Sequence, residues 1–415
     1  MKAYRFQTGA RIAPFDDPVS EVPVGNEPLG LAVSRALLQA GLDPTPGPRG
    51  GAVDDSLLLP DRIFISRAML RAFVRACPKT AGIYRLGLPP GPVTEWLAPL
   101  ARVERSPAAV LFHVYLVRGR LELTARDWPD QETWLARRGQ PVVVDPGGPI
   151  EPVVLPRPGG GRHRMLRPRG LRLLADISLW PHLVWLNQLL PGLRLAERRR
   201  AHRLRDRLPG PWSGRSGRGC DIHPTAWVEN ALLGDGVVLG PYASVRDCIL
   251  GPGVELTEHS RLKGCCVGRG CRTLPDSTFI GCTFWPGSTL ASFRLRDSAI
   301  GRRSFLTSGL VFWAEGLRDT VRVTADGAER DSGRWVLGSA AGHGCMLGTL
   351  GPRAVLAPGR SLPNGTVLAM HPEDGLLKLP AGARAGEPHV CRHGIAQPSA
   401  TALPGWQPPE LEDAR

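Results

Sequence analysis

The sequence predicts a chain of mixed class, α/β plus all-β, in which an α/β domain and a helical linker precede a coil of short parallel strands. Three observations support this class. Helix and strand patterns alternate over residues 1–150, residues 171–208 have a helical apolar period, and apolar residues recur every 17 residues from Cys220 onward. We expect four regions in chain order: the α/β domain (1–150), a Pro/Gly- and Arg-rich linker (151–219), the coil (220–380) and a loose, Pro-rich tail (381–415).

Two helices and a strand are well marked in the first region. NEPLGLAVSRALLQAGL, 26–42, predicts an amphipathic helix that Asn26 caps and Gly41 ends. SLLLPDRIFIS, 56–66, predicts a buried strand and its exit, and a second helix over 66–77 begins with a serine cap.

The remainder of this region predicts a hairpin and two irregular segments. AVLFHVYLV, 109–117, has a strand pattern, a Gly-Arg turn follows it, and LELTA is the expected returning strand. Residues 43–55 and 145–170 are rich in Gly and Pro, so we expect loops or linkers there.

The linker carries most of the excess positive charge. Residues 157–218 contain 15 Arg and no Lys against three acidic residues, whereas the net charge of the whole chain is +14. LRLLADISLWPHLVWLNQLL predicts a helix kinked at Pro181, and a basic helix follows it up to residue 208.

Two interpretations of residues 171–208 stay open. Either their Leu face packs on the two domains, or they form an interfacial helix that places Trp180 and Trp185 among lipid headgroups and arginines against an anionic membrane surface. We expect no nucleic-acid partner, because no aromatic-basic interleaving or reading module accompanies the charge.

The 17-residue repeat indicates three short strands per turn of the coil. One column of small residues alternates with a column of large ones two places on, so both sets point inward. The columns are Ala231, Cys248, Cys265, Cys282 and Ser298, and Leu233, Leu250, Val267, Phe284 and Ile300. We interpret the cysteines as small core residues in a ladder. A metal site is the alternative, and the lack of paired histidines argues against it.

CDIHPTAWVENALLGDGVVLGP, from Cys220, resembles the opening coils of the hexapeptide-repeat family. The resemblance extends over 220–303 and again over 336–370, and it implies a C-terminal left-handed parallel β-helix in a homo-oligomer, a trimer. Acyltransferases, sugar-phosphate nucleotidyltransferases and carbonic anhydrases all share this repeat, so it does not identify the chemistry. Between the two stretches, alternating VRV, a DG turn and VLG predict an inserted hairpin loop at about 305–338.

TGARIAPFDDPVSEVPVGNEPLG, 8–30, resembles the signature of sugar nucleotidyltransferases. The resemblance implies that Gly9 and Arg11 hold a nucleotide triphosphate and that Asp61, at the end of the LLLPDRIF strand, binds Mg²⁺ if the site is active. The motif departs from the family, because its glycine turn is shortened and Ser20 and Glu21 stand where the family has a lysine. We therefore expect a shortened, degenerate nucleotidyltransferase-like domain. The alternative for Arg11 is a surface arginine, and for Asp61 a strand-end cap.

GHGCMLG, 342–348, resembles the stretch around the catalytic histidine of the bifunctional N-acetylglucosamine-1-phosphate uridyltransferase/glucosamine-1-phosphate acetyltransferase family. That family has the same order of domains. The resemblance implies that His343 is the general base of acyl transfer, with acetyl-CoA or another acyl-CoA as donor and a sugar phosphate as acceptor. The alternative is that His343 is a polar corner residue.

The sequence offers three further candidate histidines besides His343. We expect His223 to be structural and His371 to be solvated, whereas His259 fits either role.

The leading functional hypothesis is an acyltransferase of a sugar-nucleotide pathway. Its rivals are a sugar-1-phosphate nucleotidyltransferase with a structural coil, and a scaffold that binds a sugar nucleotide without turnover. We expect a cytoplasmic location, with membrane association open, because MKAYRFQTGARIAPF lacks an apolar signal stretch and nine cysteines fit reduced thiols.

Overall fold

The computed structural model describes the chain except for thirteen stretches. These are residues 49, 124–127, 157–161, 202–211, 292–293, 307–309, 313, 317–318, 326, 348–353, 369–388, 393–394 and 399–415. The described residues form an N-terminal α/β domain, a helical connection and a parallel β-helix.

The N-terminal domain is built from twelve strands, one short 3₁₀ turn at Val19–Glu21 and four helices. In chain order these are β1 (Lys2–Phe6), β2 (Arg11–Ile12), β3 (Asp17–Pro18), β4 (Pro23–Val24), β5 (Glu27–Pro28), α1 (Leu29–Ala40), β6 (Asp43–Pro46), β7 (Gly51–Pro60), β8 (Ile63–Ile65), α2 (Arg67–Ala76), β9 (Gly82–Leu88), α3 (Pro92–Leu97), β10 (Glu104–Arg105), β11 (Val110–Leu123), α4 (Trp128–Arg138) and β12 (Gln140–Val143).

The main sheet of this domain is mixed, with strand order β12-β9-β11-β7-β1-β6 and β10 paired to β11. β1 runs parallel to β6 and β7, whereas β11 is antiparallel to both β7 and β9. Successive side chains of β7 alternate between two cores: Leu57 and Leu59 pack in the large core, and Leu58 packs in the core that Leu135 of α4 closes. The sheet therefore has apolar cores on both faces.

The two helices expected here form, but one cap differs from the prediction. Gly41 ends α1 in the left-handed conformation, and Ser66 caps α2 by accepting a bond from Met69 N. Asn26 does not cap α1. Its Nδ2 instead donates to Ile249 O at 3.1 Å and Val267 O at 2.8 Å, so this side chain joins the domain to the coil.

The expected hairpin at 109–123 is wrong. β11 runs unbroken through Gly119 and Arg120, because the Gly119 residue, at φ +76°, is accommodated by a register shift between Val117 and Arg120 in the pairing with β7. Two segments expected to be loops also contain strands. Residues 43–55 supply β6 and the start of β7, and 145–170 contain an antiparallel pair, β13 (Ile150–Pro156) and β14 (Arg162–Pro168).

The connection to the coil consists of β15 (Leu174–Asp176), α5 (Trp180–Asn187) and α6 (Leu190–Ala201). Pro181 lies in the first turn of α5, where its missing N–H costs no helical bond, so the expected kink is wrong. Trp180 and Trp185 are buried in the interdomain core, which corrects the idea that these rings face lipid headgroups. Of the basic residues 198–208, the structure describes the backbone only as far as Ala201.

The coil has three faces of parallel strands. Trp212–Arg215 pairs with the first long strand. The first face comprises Trp227–Leu233, Ser244–Arg246, Arg261–Lys263, Thr278–Ile280 and Leu295–Arg296. The end of Trp227–Leu233 bends onto the second face. Leu310–Phe312 and Ala354–Leu356 form a further parallel pair. The second face continues with Ile249–Leu250, Cys266–Val267, Thr283–Phe284, Ala299–Ile300, Ala340–Ala341 and Ser361–Leu362. The third comprises Asp221–Ile222, Val238–Leu239, Glu255–Leu256, Arg272–Thr273, Thr289–Leu290, Phe305–Leu306, Met346–Leu347 and Val367–Leu368.

The interpretation of the cysteines as a core ladder is confirmed. Cys248, Cys265 and Cys282 are buried in the coil core, and the N–H of each later residue donates to the sulfur one turn before, at 3.4 Å. Burial raises the pKa of the Cys248 and Cys282 thiols, so these side chains stay neutral.

Outward-pointing residues of the second face are also apolar. Leu232, Ile249 and Cys266 belong to the large core of the N-terminal domain and not to the coil core. Asn187 of α5 reinforces this contact, because its Nδ2 donates to Thr283 Oγ1 at 3.1 Å and its Oδ1 accepts from Gly25 N at 2.9 Å. The N-terminal domain therefore covers one of the three coil faces.

The segment inserted between coil strands contains an antiparallel hairpin, Arg322–Ala325 with Ala328–Asp331. After this segment the coil resumes at Ala340, which pairs with Ala299 of the preceding turn, as expected from the return of the repeat. The tail was expected to be loose, but it contains a second antiparallel pair, His389–Arg392 with Ile395–Pro398. Among the described residues no helix is long and apolar enough to span a bilayer.

Candidate functional site

Gly9 and Asp61 lie at the same edge of the main sheet. Strands β1 and β7 are parallel neighbours that pair Phe6 with Pro60, so the residues following them emerge side by side. Thr8 links the two positions, since its Oγ1 donates to Asp61 Oδ1 at 2.7 Å and its N–H donates to the same oxygen at 3.2 Å. Gly9 has φ +68°, and the space where a Cβ would lie is open.

Arg11 does not join this pair. Its Nε bonds Asp16 Oδ1 at 2.8 Å, and both side chains are exposed. Asp61 itself is 3% exposed, and burial raises the pKa of its carboxyl despite the bonds from Thr8. The described residues contain no group of three His, Cys, Asp or Glu side chains placed to hold a metal ion. A lone buried carboxylate is a poor ligand set for Mg²⁺, which prefers several oxygen ligands in octahedral geometry, so the residues present here do not fit this ion.

Beside Asp61 lies a buried ionic network that the sequence did not reveal. Arg62 Nε bonds Asp176 Oδ2 at 2.8 Å, and its Nη2 bonds Glu132. His113 Nδ1 bonds Tyr115 Oη at 2.9 Å, and burial, together with nearby arginines, lowers the pKa of His113 to about 3. Glu132 also lies 3.4 Å from His113 Nδ1, so the network joins the turn before β8 to β15, α4 and β11 as a structural element.

His343 lies at a corner of the coil where the N-terminal domain contacts it. Its Nε2 is 3.0 Å from Asp17 Oδ2, and its Nδ1 accepts from the Arg302 backbone N–H at 2.9 Å. The ring packs near Phe15, with centroids 5.4 Å apart, and Phe15 stacks on Trp285 at 4.1 Å. The side chain of His343 is only 14% exposed.

Asp17 is the centre of this cluster. It accepts from His343, from Arg302 Nη2 and from Trp285 Nε1, the last at 3.2 Å. Burial raises the pKa of Asp17, but the bonds from His343 and Arg302 outweigh burial and bring it below its ordinary value. Asn364 adds a further link, because its Nδ2 donates to Phe15 O at 2.9 Å while its Oδ1 accepts from His343 N at 2.7 Å.

The hydrogen bonds assign the tautomer of His343. Nδ1 accepts a backbone N–H and is therefore unprotonated, which leaves the proton on Nε2 for Asp17. A general base needs an unprotonated nitrogen that faces its substrate. In this arrangement the lone pair of Nδ1 is already used by Arg302, so the cluster is a closed contact between the two domains.

The other candidate histidines have simpler surroundings. His223 Nδ1 bonds Thr225 Oγ1 at 2.8 Å at a coil corner. His259 is exposed and stacks on Tyr242 one turn away, with centroids 5.1 Å apart. His371 lies outside the described residues.

A family model described as "GlmU-like, C-terminal hexapeptide" matches residues 216–300, which is the first part of the coil and less than half of the chain. No curated protein matches this chain. The hexapeptide-repeat character of the coil is therefore shown, whereas His343 and the whole N-terminal domain lie outside the match.

Proposed function

We propose that the chain is a sugar-pathway acyltransferase whose coil domain transfers an acyl group from acetyl-CoA, or another acyl-CoA, to a sugar or sugar phosphate. The observation that supports this proposal is the GlmU-like hexapeptide match over 216–300. The N-terminal domain covers the second coil face, and exposed strand residues remain on the first face, such as Trp227, and on the third, such as Met346. These faces are available for the subunit contacts of a trimer, in which the thioester lies between two copies.

In this proposal His343 removes the proton from the acceptor hydroxyl or amine. A histidine suits this step because its ordinary pKa is near neutrality. The contact with Asp17 has to open first, and the ring has to place its lone pair on the nitrogen that faces the acceptor. The closed cluster is then the resting arrangement, and Asp17 is the group that holds it closed.

The test is release of CoA from acetyl-CoA, measured with a panel of amino- and hydroxy-sugar phosphates as acceptors. His343→Gln is the informative variant, because a glutamine amide still donates a hydrogen bond to Asp17 but cannot take up a proton. We expect a loss of at least about 100-fold in kcat, the usual size of a general-base effect, with an unchanged melting temperature. His259→Ala is the matched control on an exposed coil corner and should keep full activity. Equal activity in His343→Gln and the wild type would exclude His343 as the base.

A binding protein without turnover is the second candidate, and one observation favours it. Both ring nitrogens of His343 are engaged within the chain, as expected if its role is to join the domains. In that case, titration calorimetry with a sugar nucleotide gives a saturable signal while no acceptor yields CoA. Acceptor-dependent CoA release would exclude this second candidate.

A further inference from the structure

A pocket of about 210 Å³ lies between the first coil face, helices α3 and α5, and the β13–β14 hairpin. It is separate from the His343 cluster and shares no residue with it. Its walls combine apolar side chains, including Trp96 and Trp185, with a ring of polar ones. The polar lining residues are Arg167, Gln188, Lys263, Arg296, Asp297 and Arg334.

Arg334 is the most deeply buried of these cations, with 4% exposure. Its guanidinium lies over the rings of Trp96, at 4.4 Å, and Trp185, at 4.9 Å, and its Nη2 donates to Trp96 O at 2.7 Å. Burial lowers the pKa of Arg334 to about 10, so the group is still charged at neutral pH. Its Nε is buried and has no hydrogen-bond partner among the described residues.

Two neighbouring arginines also have an Nε donor that makes no hydrogen bond within the described residues. The side chains of Arg167 and Arg296 are only 13% and 12% exposed. The Nε atom of each is buried and has no hydrogen-bond partner in the described part of the chain. The nearest acid to Arg167 is Glu151, at 4.0 Å, and Arg296 Nε is 3.3 Å from Asp297 without the alignment of a hydrogen bond. Buried cations with unsatisfied donors cost free energy, so an anion in the adjoining pocket, which compensates their charge, is favoured.

The charged side chains that line the pocket are mostly positive. Four cationic side chains, Arg167, Lys263, Arg296 and Arg334, face a single acid, Asp297. The carboxylate of Asp297 also accepts a hydrogen bond from Gln188 at 2.6 Å, and burial raises its pKa, so its negative charge is disfavoured. The lining of this partly closed pocket therefore carries a net charge of +3, and Glu151 lies outside the lining at 4.0 Å from Arg167.

We propose that this pocket binds the phosphate group of a small phosphate monoester. Guanidinium groups suit phosphate oxygens because their fork of N–H donors matches them in a bidentate manner, and Lys263 at the rim adds a point charge. The volume holds a phosphate together with a small organic group, which would pack against the tryptophan rings. The proposal does not depend on acyl transfer, since it involves other residues and another part of the coil.

The experiment is titration calorimetry of the full chain with three probes: inorganic phosphate, a hexose 1-phosphate and the uncharged hexose. We expect both phosphates to bind with one site per chain and the hexose not to bind. Lys263→Ala should weaken phosphate binding about tenfold, the usual loss for one charge-assisted hydrogen bond. Arg246→Ala is the matched control, because Arg246 lies one turn earlier in the same column, is exposed, and pairs with Glu229 outside the pocket.

Three results would overturn the proposal. These are no binding of either phosphate at millimolar concentration, equal binding of hexose and hexose phosphate, or equal losses in Lys263→Ala and Arg246→Ala. The last result would mean that phosphate binds to the basic surface without using the pocket. Because Lys263 is exposed, its replacement leaves the core intact, and an unchanged melting temperature of each variant confirms that folding is not the cause.

Discussion

Replacement of Asp17 by alanine tests whether the two domains are joined as described. Asp17 is 7% exposed and accepts hydrogen bonds from three side chains of the coil: Arg302, His343 and Trp285. Alanine removes all three acceptor contacts. The indole N–H of Trp285, itself 2% exposed, then loses its partner in a buried place.

The expected cost follows from these contacts. An unsatisfied buried donor costs about 1–3 kcal/mol, and the bond from His343 to a charged acceptor contributes about 1.5 kcal/mol. The bond from Arg302 adds little, because that side chain is 48% exposed and solvent screens the pair. We therefore expect Asp17→Ala to lower the free energy of unfolding by about 3 kcal/mol at pH 7, measured as the shift of the urea midpoint by circular dichroism.

The effect should depend on pH in one direction. The pKa of Asp17 is lowered in the folded chain, so its contribution is present above the unfolded pKa of about 3.9 and is lost as the pH falls through the folded value. The difference between wild type and Asp17→Ala should thus shrink below about pH 4. Asp16→Ala is the control, because Asp16 is exposed and pairs with Arg11, which is exposed as well. Equal midpoints for the two variants at pH 7 would refute the account of this cluster.

Three further predictions concern the coil and the N-terminal domain. Asn26→Ala should lower the free energy of unfolding, measured by urea denaturation, by about 2 kcal/mol, because it removes two hydrogen bonds to the coil carbonyls of Ile249 and Val267. A decrease below about 0.5 kcal/mol would contradict this linking role. Cys265→Leu should lower the melting temperature by overfilling the cysteine ladder, whereas Cys265→Ala should be tolerated better, and the reverse order would contradict an inward ladder position. Burial raises the pKa of Asp61, so ionisation of this carboxyl destabilises the folded chain as the pH rises. Asp61→Asn should therefore melt at a higher temperature than the wild type at pH 7 and at a similar temperature near pH 3. A melting temperature that rises with Mg²⁺ only in the wild type would instead support a metal site.

The coil could be predicted from the sequence because its rule is local. The alternation of small and large inward residues, such as Cys265 and Val267, repeats every turn and needs no knowledge of distant contacts. A further signal was present and was missed. The residue between the two inward columns should be polar on an exposed face, yet at Leu232, Ile249 and Cys266 it is apolar, which indicates a covered face.

The candidate site could be predicted only in part, because its contacts are long-range. The sequence placed His343 at a coil corner, but its partner Asp17 lies 326 positions earlier and belongs to another domain. Asn26 misled the cap prediction for the same reason, since its side chain is used by the coil. The arginine-lined pocket draws on the β13–β14 hairpin, α5 and the inserted segment, and no spacing in the sequence connects these three.

The measurement that tests the proposed function most directly is product detection by mass spectrometry. The purified full chain is incubated with acetyl-CoA and each sugar phosphate of the acceptor panel, with wild type and His343→Gln in parallel. The proposal predicts an acetylated sugar phosphate that accumulates with time in the wild type and not in the variant. The absence of any acetylated product, in a protein that nevertheless binds a sugar nucleotide in calorimetry, would contradict acyl transfer and support a binding protein without turnover.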